Sequence, residues 1–245
     1  MAIVIESLFP EFSNQGGDNG NMMYLKASLS DAEFIETHFT DEPAFATRDV
    51  SMIYMGYMTE REEKKVAAKL LPYRDRLIEL RDKGCVILFT GSAADLAGRS
   101  LRFDDGECVE CLNLFDFETV HSYAHRYAQV YLGEFTPADG SSPLEIVGYK
   151  IQFTQATGDN SSNFFCKNKV GFGLNTKAAY EGFCCNNMFV TSLVGPILAI
   201  NPLFCEYLMG KLGVEESRVA FRRRSMAAYE KRLEEFKTPG VEMPL

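Results

Sequence analysis

The stretch Cys85-Val-Ile-Leu-Phe89 constrains the fold of this chain more than any other feature of its sequence. It is a short, uninterrupted apolar run, which is typical of a strand buried inside a sheet. It leads directly into Thr90-Gly91-Ser92 and then into a segment rich in alanine and leucine that predicts a helix. Because a strand, a tight turn and a helix are parts of a βαβ unit, this region predicts a parallel sheet covered by helices.

The residues before this strand repeat the same alternation of strand and helix. Ile3 to Ile5 and Val50 to Met55 are apolar runs that predict two further strands. Helices are expected from Met22 towards Leu29, from Glu60 to Leu71, where the apolar residues recur at helical spacing, and from Tyr73 to Lys83. The sequence therefore predicts an α/β fold with a doubly wound, mostly parallel central sheet flanked by helices.

The second half of the chain is less regular. Residues 103–135 show no clear period, and the densely alternating charges from Glu215 to Phe236 predict one long, solvated helix. No linker or repeat is visible, so residues 1–213 are expected to form one domain, with a charged helix and tail at 214–245 packed on it or extending from it. The other predicted elements are strands at Leu144–Phe153, within Phe164–Gly173 and at Met188–Leu193, and a helix at Pro202–Leu212.

Charge and hydropathy exclude several classes of protein. A net charge of −9 argues against a general nucleic-acid partner, because binding to phosphates needs a surface rich in lysine and arginine. The longest apolar run, Val190 to Ile200, is interrupted by polar residues, glycine and proline, and it is shorter than the ~20 residues of a membrane helix. Seven cysteines without a secretory signal at the N-terminus predict free thiols and a cytoplasmic location.

Several short motifs, in order along the chain, resemble those of one enzyme family. Residues 14–21 (NQGGDNGN) are similar to N-x-Y-G-D-x-G-N, and Ile53-Tyr-Met-Gly56 lies where the family has a strand running into three glycines. Residues 87–92 (ILFTGS) occupy the place of the nucleophile elbow, C-G-G-Y-Q. Glu181-Gly182, then residues 190–196 (VTSLVGP), then Asn201-Pro202 resemble E-G, G-T-Y-L-H-G-P and N-P. The chain thus resembles the class I glutamine amidotransferases of cobyric acid synthases and of the glutaminase subunit that amidates lipid II, which implies a flavodoxin-like fold.

The same resemblance implies that the groups for glutamine hydrolysis are replaced. This chemistry needs a cysteine thiolate at the elbow and a histidine base. Thr90 stands at the elbow and Val194 stands where the family has its histidine. The strand Gly148 to Gln152 is similar to the family's G-[FY]-E-x-H, with Lys150 and Gln152 in place of its acid and histidine.

The former glutamine pocket is altered as well. The oxyanion turn, three glycines in the family, here consists of Gly56, Tyr57 and Met58. After the elbow, Gly91 and Ser92 are followed by Ala93-Ala94-Asp95, and the family's substrate-binding glutamine is absent. Because bulky residues restrict positive φ angles, we expect the backbone donors of this turn to be presented differently from those of an active enzyme.

Four other features have both a functional and a structural interpretation. His121 and His125 are spaced i, i+4, which on a helix would suit two ligands of one metal ion. The favoured interpretation is that they are two polar residues on a solvated face. Cys108 and Cys111 have the spacing of half a zinc site without a matching second half, so no metal or cofactor is expected. Residues 14–21 could cradle a phosphate, although a structural turn is favoured. The cluster Arg222 to Arg224 is expected to be a solvated helix face, with contact to an acidic partner as the alternative.

Three functions remain open from the sequence. The first is a non-catalytic binding or regulatory subunit, paired with a Mur-ligase-like synthetase or with itself. The second is an enzyme of altered chemistry that uses the former glutamine pocket, with Thr90 as nucleophile and Lys150 as base. The third is a glutaminase whose catalytic residues have moved elsewhere.

Overall fold

The computed structural model describes residues 2–214 and 218–238. The strands are β1 (Val4–Leu8), β2 (Glu33–Thr37), β3 (Met52–Met55), β4 (Val86–Thr90), β5 (Ser100–Arg102), β6 (Cys108–Glu110), β7 (Phe117–His121), β8 (Tyr127–Phe135), β9 (Leu144–Gln152), β10 (Thr154–Gly158), β11 (Cys166–Val170), β12 (Tyr180–Glu181), β13 (Phe183–Cys185) and β14 (Met188–Thr191). The α-helices are α1 (Gly20–Ser28), α2 (Glu60–Leu70), α3 (Arg74–Asp82), α4 (Ile197–Ile200), α5 (Pro202–Lys211) and α6 (Arg222–Lys237).

A six-stranded sheet forms the centre of the fold, in the order β13-β14-β4-β3-β1-β2. All neighbouring strands are parallel except the hairpin of β13 and β14. The prediction of an α/β fold with a mostly parallel central sheet is confirmed. The apolar segment at residues 85–89 lies inside this sheet, between β14 and β3.

Helices cover both faces of the central sheet. Because side chains alternate along a strand, Ile53 and Phe89 point to one face, where they pack against α2 and α3. Tyr54 and Leu88 point to the other face, where α1, α4 and α5 supply the apolar partners. The sheet is therefore buried on both sides, which explains why its inner strands are continuous apolar runs.

Two smaller sheets lie beside the central one. Their strand orders are β10-β7-β5-β6 and β12-β11-β8-β9. Residues 103–135, whose sequence shows no clear hydrophobic period, contribute β6, β7 and β8 to these sheets. β7 pairs with β5 and with the distant β10, and β8 pairs with β9 and β11. Their stability depends on partners far along the chain, which local propensity does not reveal.

Three predictions about helices need correction. The alanine-rich segment after β4 is a 3-10 helix, Gly91–Ala97, rather than an α-helix. His121 ends strand β7 and His125 lies in the following turn, so the two histidines do not share a helix face. The predicted helix at Glu215–Phe236 begins at Arg222, while residues 215–217 lie outside the described part. It is also not solvated all round, because Tyr229 is buried against Leu132 and Val147.

Two further observations concern the chain as a whole. All seven cysteines are free thiols. Within residues 2–214 and 218–238, no helix combines the length and the apolar character that a crossing of a membrane requires.

Candidate functional site

The turn after β4 is the segment that the sequence resemblance assigns to a nucleophile elbow. Thr90 is still extended, with φ −123° and ψ 156°, and Gly91 follows in the left-handed region at φ +58°. In elbows of this kind the nucleophile stands at the strained residue between strand and helix. In this chain Thr90, the residue that the sequence resemblance assigns to the nucleophile position, is extended, and the left-handed residue is Gly91, a glycine that adopts this φ without strain.

The Thr90 hydroxyl is engaged inside the protein. It donates to Asp18 Oδ2 at 2.5 Å and lies 3.3 Å from the Tyr54 hydroxyl. Thr90 and Tyr54 are fully buried, and burial raises the pKa of Asp18 against the lowering effect of its hydrogen bonds from Thr90 and Tyr57. Asn21 completes the network by donating to Asp18 Oδ1 at 2.8 Å. Thr90 therefore holds the N-terminal loop to the sheet and presents no nucleophile to a pocket.

Tyr57 occupies the space beside Gly91. A Cβ atom at Gly91 would lie 2.5 Å from Tyr57 Cβ and 2.8 Å from Tyr57 Cγ. The Tyr57 hydroxyl donates to the Ile151 carbonyl at 2.8 Å, which fixes the ring, and burial raises the pKa of Tyr57 to about 12. No side chain can project from the elbow unless Tyr57 moves.

This packing predicts a large coupling between the two positions. We expect Gly91→Ala to lower the free energy of unfolding by roughly 2–3 kcal/mol, because the new Cβ collides with Tyr57 and its backbone is left-handed. In the Tyr57→Gly background the same change should cost roughly 1–2 kcal/mol, because the left-handed backbone and a 3.0 Å approach of the new Cβ to the Cα of residue 57 remain. Urea denaturation of the four proteins measures the coupling. Equal costs of Gly91→Ala in both backgrounds would show that Tyr57 does not fill the elbow.

The backbone donors of the oxyanion turn already have acceptors. The Tyr57 N–H donates to Asp18 Oδ2 at 2.9 Å, and the Met58 N–H donates to Ser92 Oγ at 3.0 Å. Ser92 in turn donates to the Met58 carbonyl at 2.8 Å. At Gly56 there is no space for a side chain, since a Cβ would lie 2.5 Å from the Tyr54 hydroxyl. An oxyanion hole needs unpaired donors aimed at the substrate. In this turn the N–H groups of Tyr57 and Met58 are both already paired.

Lys150 belongs to a different network from Thr90. Its ammonium donates to the Gly173 carbonyl at 2.6 Å, to Glu181 Oε2 at 2.5 Å and to Ser192 Oγ at 2.7 Å. Lys150 and Glu181 are both fully buried. Burial lowers the pKa of Lys150, and the Glu181 carboxylate opposes that effect. All three N–H groups of the ammonium have acceptors, so Lys150 is not paired with Thr90 as nucleophile and base.

The two positions that resemble the family's histidines have structural roles. Val194 exchanges two backbone hydrogen bonds with Tyr149, of 2.9 and 3.0 Å, and thereby joins β9 to the segment after β14. Gln152 donates from Nε2 to the Thr154 carbonyl at 2.7 Å. Its Oε1 atom is buried and has no hydrogen-bond partner. Neither side chain supplies a general base.

A cavity lies beside Asp95, on the side of the elbow that faces β14. Its volume is about 300 Å³, part of which is open to solvent, and the space between the lining atoms is narrow. That is room for one or two waters, and not for an amino acid. Burial raises the pKa of Asp95 to about 7 against the lowering effect of hydrogen bonds from Thr154 and Thr119, the latter donated to Asp95 Oδ1 at 3.1 Å. The lining combines polar Asp95, Gln152, Glu181 and Ser192 with apolar Ala94, Phe117, Ala156, Leu174, Phe183, Val190 and with Gly182.

The remaining candidate residues do not form a site together. His121 is fully buried, and its Nε2 lies 3.5 Å from Glu60 Oε1, whereas His125 is exposed. Cys108 is exposed and Cys111 is buried. In the described part of the chain, no three histidine, cysteine or acidic side chains are arranged to hold a metal ion. Residues 222–224 are exposed, as expected of a solvated helix face.

The roles of two residues in this region are not predicted by the sequence. Asp18 lies in a segment that the sequence predicts to be a polar turn, yet it is buried and accepts the Thr90 hydrogen bond. Ser192 lies between two residues of the matched T-x-L motif and bonds both Lys150 and Glu181. The motifs that contain them were visible, but the partners that give them a role are 72 and 42 residues away.

Comparisons with known proteins identify the fold. No family profile and no curated protein matches the sequence. A solved glutamine amidotransferase matches with a TM-score of 0.50 at 10% identity, over 85% of this chain and 99% of that one. A glutamine amidotransferase from Thermotoga maritima gives a TM-score of 0.49 at 10% identity, over 97% of this chain and 93% of the other. At this identity the first match shows the fold alone: the chain has a fold similar to that of glutamine amidotransferases.

Proposed function

We propose that this chain is a glutamine amidotransferase-like protein that does not hydrolyse glutamine and that serves as a binding or regulatory subunit. The observation that carries the proposal is Tyr57, whose side chain fills the space into which a nucleophile at Gly91 would project. A thiolate attack on glutamine needs an exposed nucleophile, a base and free oxyanion donors. The elbow has no nucleophile, and the N–H groups of Tyr57 and Met58 already donate to Asp18 and Ser92.

The proposed partner is a Mur-ligase-like synthetase, with a second copy of this chain as the other candidate. The support is the resemblance of the motifs at residues 181–202 to those of the lipid II-amidating glutaminase subunit. Residues that shape turns are retained there, among them Gly182, which adopts φ +62° where a Cβ would lie 2.2 Å from the Val190 carbonyl oxygen. A scaffold kept without its reactive groups suits a protein that is used for its surface.

The two catalytic alternatives gain less support from the geometry. An enzyme with Thr90 as nucleophile and Lys150 as base needs a hydrogen bond between them. The Thr90 hydroxyl donates to Asp18, and Lys150 donates to Gly173, Glu181 and Ser192. A relocated glutaminase needs a reactive thiol, and burial raises the pKa of five of the seven: Cys85, Cys184 and Cys205 to about 12, and Cys111 and Cys166 as well. Cys108, which is exposed, and Cys185, which is half-buried, are the thiols to which this argument does not apply.

The absence of glutaminase activity can be tested directly. We expect the purified protein to release ammonia from glutamine no faster than a buffer blank. We also expect its mass to stay unchanged after incubation with an alkylating glutamine analogue, because no thiol stands at the elbow. An active glutamine amidotransferase, treated in parallel, supplies the control. Addition of one equivalent of the analogue at any of the seven cysteines would contradict the proposal and support a relocated active site.

The binding role needs a separate experiment. The tagged protein, purified from its own source, is expected to co-elute with a synthetase of the Mur-ligase type or to sediment as a dimer. A chain that elutes alone and sediments as a monomer at all concentrations would overturn the subunit proposal. That result would leave the glutaminase test unaffected.

A further inference from the structure

The cavity beside Asp95 has the properties of a ligand site. Asp95 is 6% exposed and Glu181 is fully buried. Glu181 is neutralised by Lys150 at 2.5 Å. No lysine, arginine or histidine within residues 2–214 and 218–238 forms an ion pair with Asp95, and Lys150, which is bound to Glu181, acts on it only at longer range. A buried carboxylate that ionises is normally paired, so above its pKa of about 7 the charge of Asp95 calls for a cationic partner.

The hydrogen-bonding groups of the cavity narrow the chemistry of that partner. The side-chain donors of the lining are already engaged, since Ser192 Oγ donates to Glu181 Oε1 at 3.0 Å and Gln152 Nε2 donates to the Thr154 carbonyl at 2.7 Å. Gln152 Oε1, in contrast, is a buried acceptor without a partner. A guest that fits must therefore donate hydrogen bonds without needing to accept any. Water donates two and accepts two, whereas an ammonium group only donates.

The size of the cavity sets an upper limit on the guest. The space between the lining atoms admits about one or two particles of the size of a water molecule. The remaining walls, which include Phe117, Phe183 and Val190, are apolar and offer no ligands to a divalent metal. The described residues also contain no cluster that could chelate a metal.

We propose that this cavity binds the ammonium ion, held by the Asp95 carboxylate and Gln152 Oε1. The inference deepens the proposed binding role by naming a ligand for the former pocket, and it does not depend on the partner. The other charged groups near Asp95 agree with this assignment. Glu63, from α2, is buried, and burial and the nearby Asp95 hold its pKa well above the ordinary value, which disfavours a second charge beside Asp95. Glu181 and Lys150 neutralise each other.

Thermal unfolding with different chloride salts tests the site. At pH 8 and constant ionic strength, replacing sodium by ammonium should raise the unfolding midpoint by roughly 2–4 °C, the shift expected for a chain of this size when a ligand is several times above its Kd. Tetramethylammonium, which is too large and has no N–H, should behave like sodium. Potassium, similar in size to ammonium but unable to donate hydrogen bonds, should also give no shift. A potassium effect equal to that of ammonium would overturn the argument from hydrogen bonding.

Matched variants locate the effect. Asp95→Asn removes the charge and should abolish the ammonium shift, and Gln152→Leu should reduce it at least twofold. Asp159→Asn makes the same chemical change at an exposed position and should retain the full shift. An ammonium shift that persists in Asp95→Asn would overturn the proposal. Because none of these measurements involves glutamine or a synthetase, failure here is distinguishable from failure of the proposed function.

Discussion

Replacing Lys150 by methionine is expected to lower the free energy of unfolding by about 3–5 kcal/mol, because it leaves Glu181 buried and unpaired. The carboxylate of Glu181 would keep its hydrogen bonds from the Thr191 hydroxyl, at 2.8 Å, and from the Ser192 N–H, at 2.9 Å. It would lose its only ion-pair partner within residues 2–214 and 218–238. Urea denaturation at pH 7 measures the difference. The variant also loses the hydrogen bond from the Lys150 ammonium to Ser192 Oγ, which adds to the loss of stability.

Two further variants separate the buried pair from a general effect of removing a lysine. Lys169 forms ion pairs with Glu134 and Glu145 at a solvent-exposed position, and Lys169→Met should cost less than about 1 kcal/mol. The double variant Lys150→Met with Glu181→Gln should regain part of the lost stability, because the glutamine is neutral and still accepts from Thr191. If Lys150→Met costs no more than Lys169→Met, the buried pair does not carry the stability assigned to it.

The second large effect concerns pH and Asp95. Burial raises the pKa of Asp95 from 3.8 to about 7 in the folded protein, so the folded state holds this proton more tightly than the unfolded chain does. The contribution of Asp95 to stability is therefore most favourable below pH 4, falls as the pH rises from about 4 to about 7, and is constant above that. At about 1.36 kcal/mol per pH unit, the total is on the order of 4 kcal/mol.

Asp95→Asn should remove this dependence, because asparagine does not ionise and can still accept from Thr119. The variant is expected to match the wild type near pH 4.5 and to exceed it by a few kcal/mol at pH 8 in sodium buffers. Denaturation curves at several pH values give the comparison. Asp159→Asn should show no such gain, since Asp159 is exposed and hydrogen bonds from Ser161 lower its pKa. Parallel curves for wild type and Asp95→Asn across this range would disprove the assignment.

The parts of the fold that the sequence predicted are those with local signals. The segment at residues 85–89 and the helix at residues 60–71 were identifiable because their apolar spacing depends only on near neighbours. β2 could not be predicted because it is a half-exposed edge strand, Glu33–Thr37, in which Glu33 and Glu36 flank only two apolar residues. The strands β5 to β7 could not be predicted because each is short. β7 pairs antiparallel with the remote β10, and β5 pairs antiparallel with β6 but parallel with β7.

In the candidate site, too, the residues with local sequence signals could be predicted and their distant partners could not. Thr90, Lys150 and Val194 could be singled out because matched motifs surround them. Their partners could not be predicted, since the hydrogen bonds from Thr90 to Asp18 and from Lys150 to Glu181 join residues 72 and 31 positions apart. The left-handed φ of Gly91, directly after Thr90, is a backbone angle, which a sequence pattern does not contain.

The contact between Gly91 and Tyr57 also bears on any attempt to engineer a reactive thiol into this turn. A cysteine at residue 91 would place its Cβ 2.5 Å from Tyr57 Cβ, and the N–H groups of residues 57 and 58 would still donate to Asp18 and Ser92. A single substitution at residue 91 therefore does not create an accessible thiol with free backbone donors beside it. An engineered nucleophile would need coordinated changes on both sides of this contact.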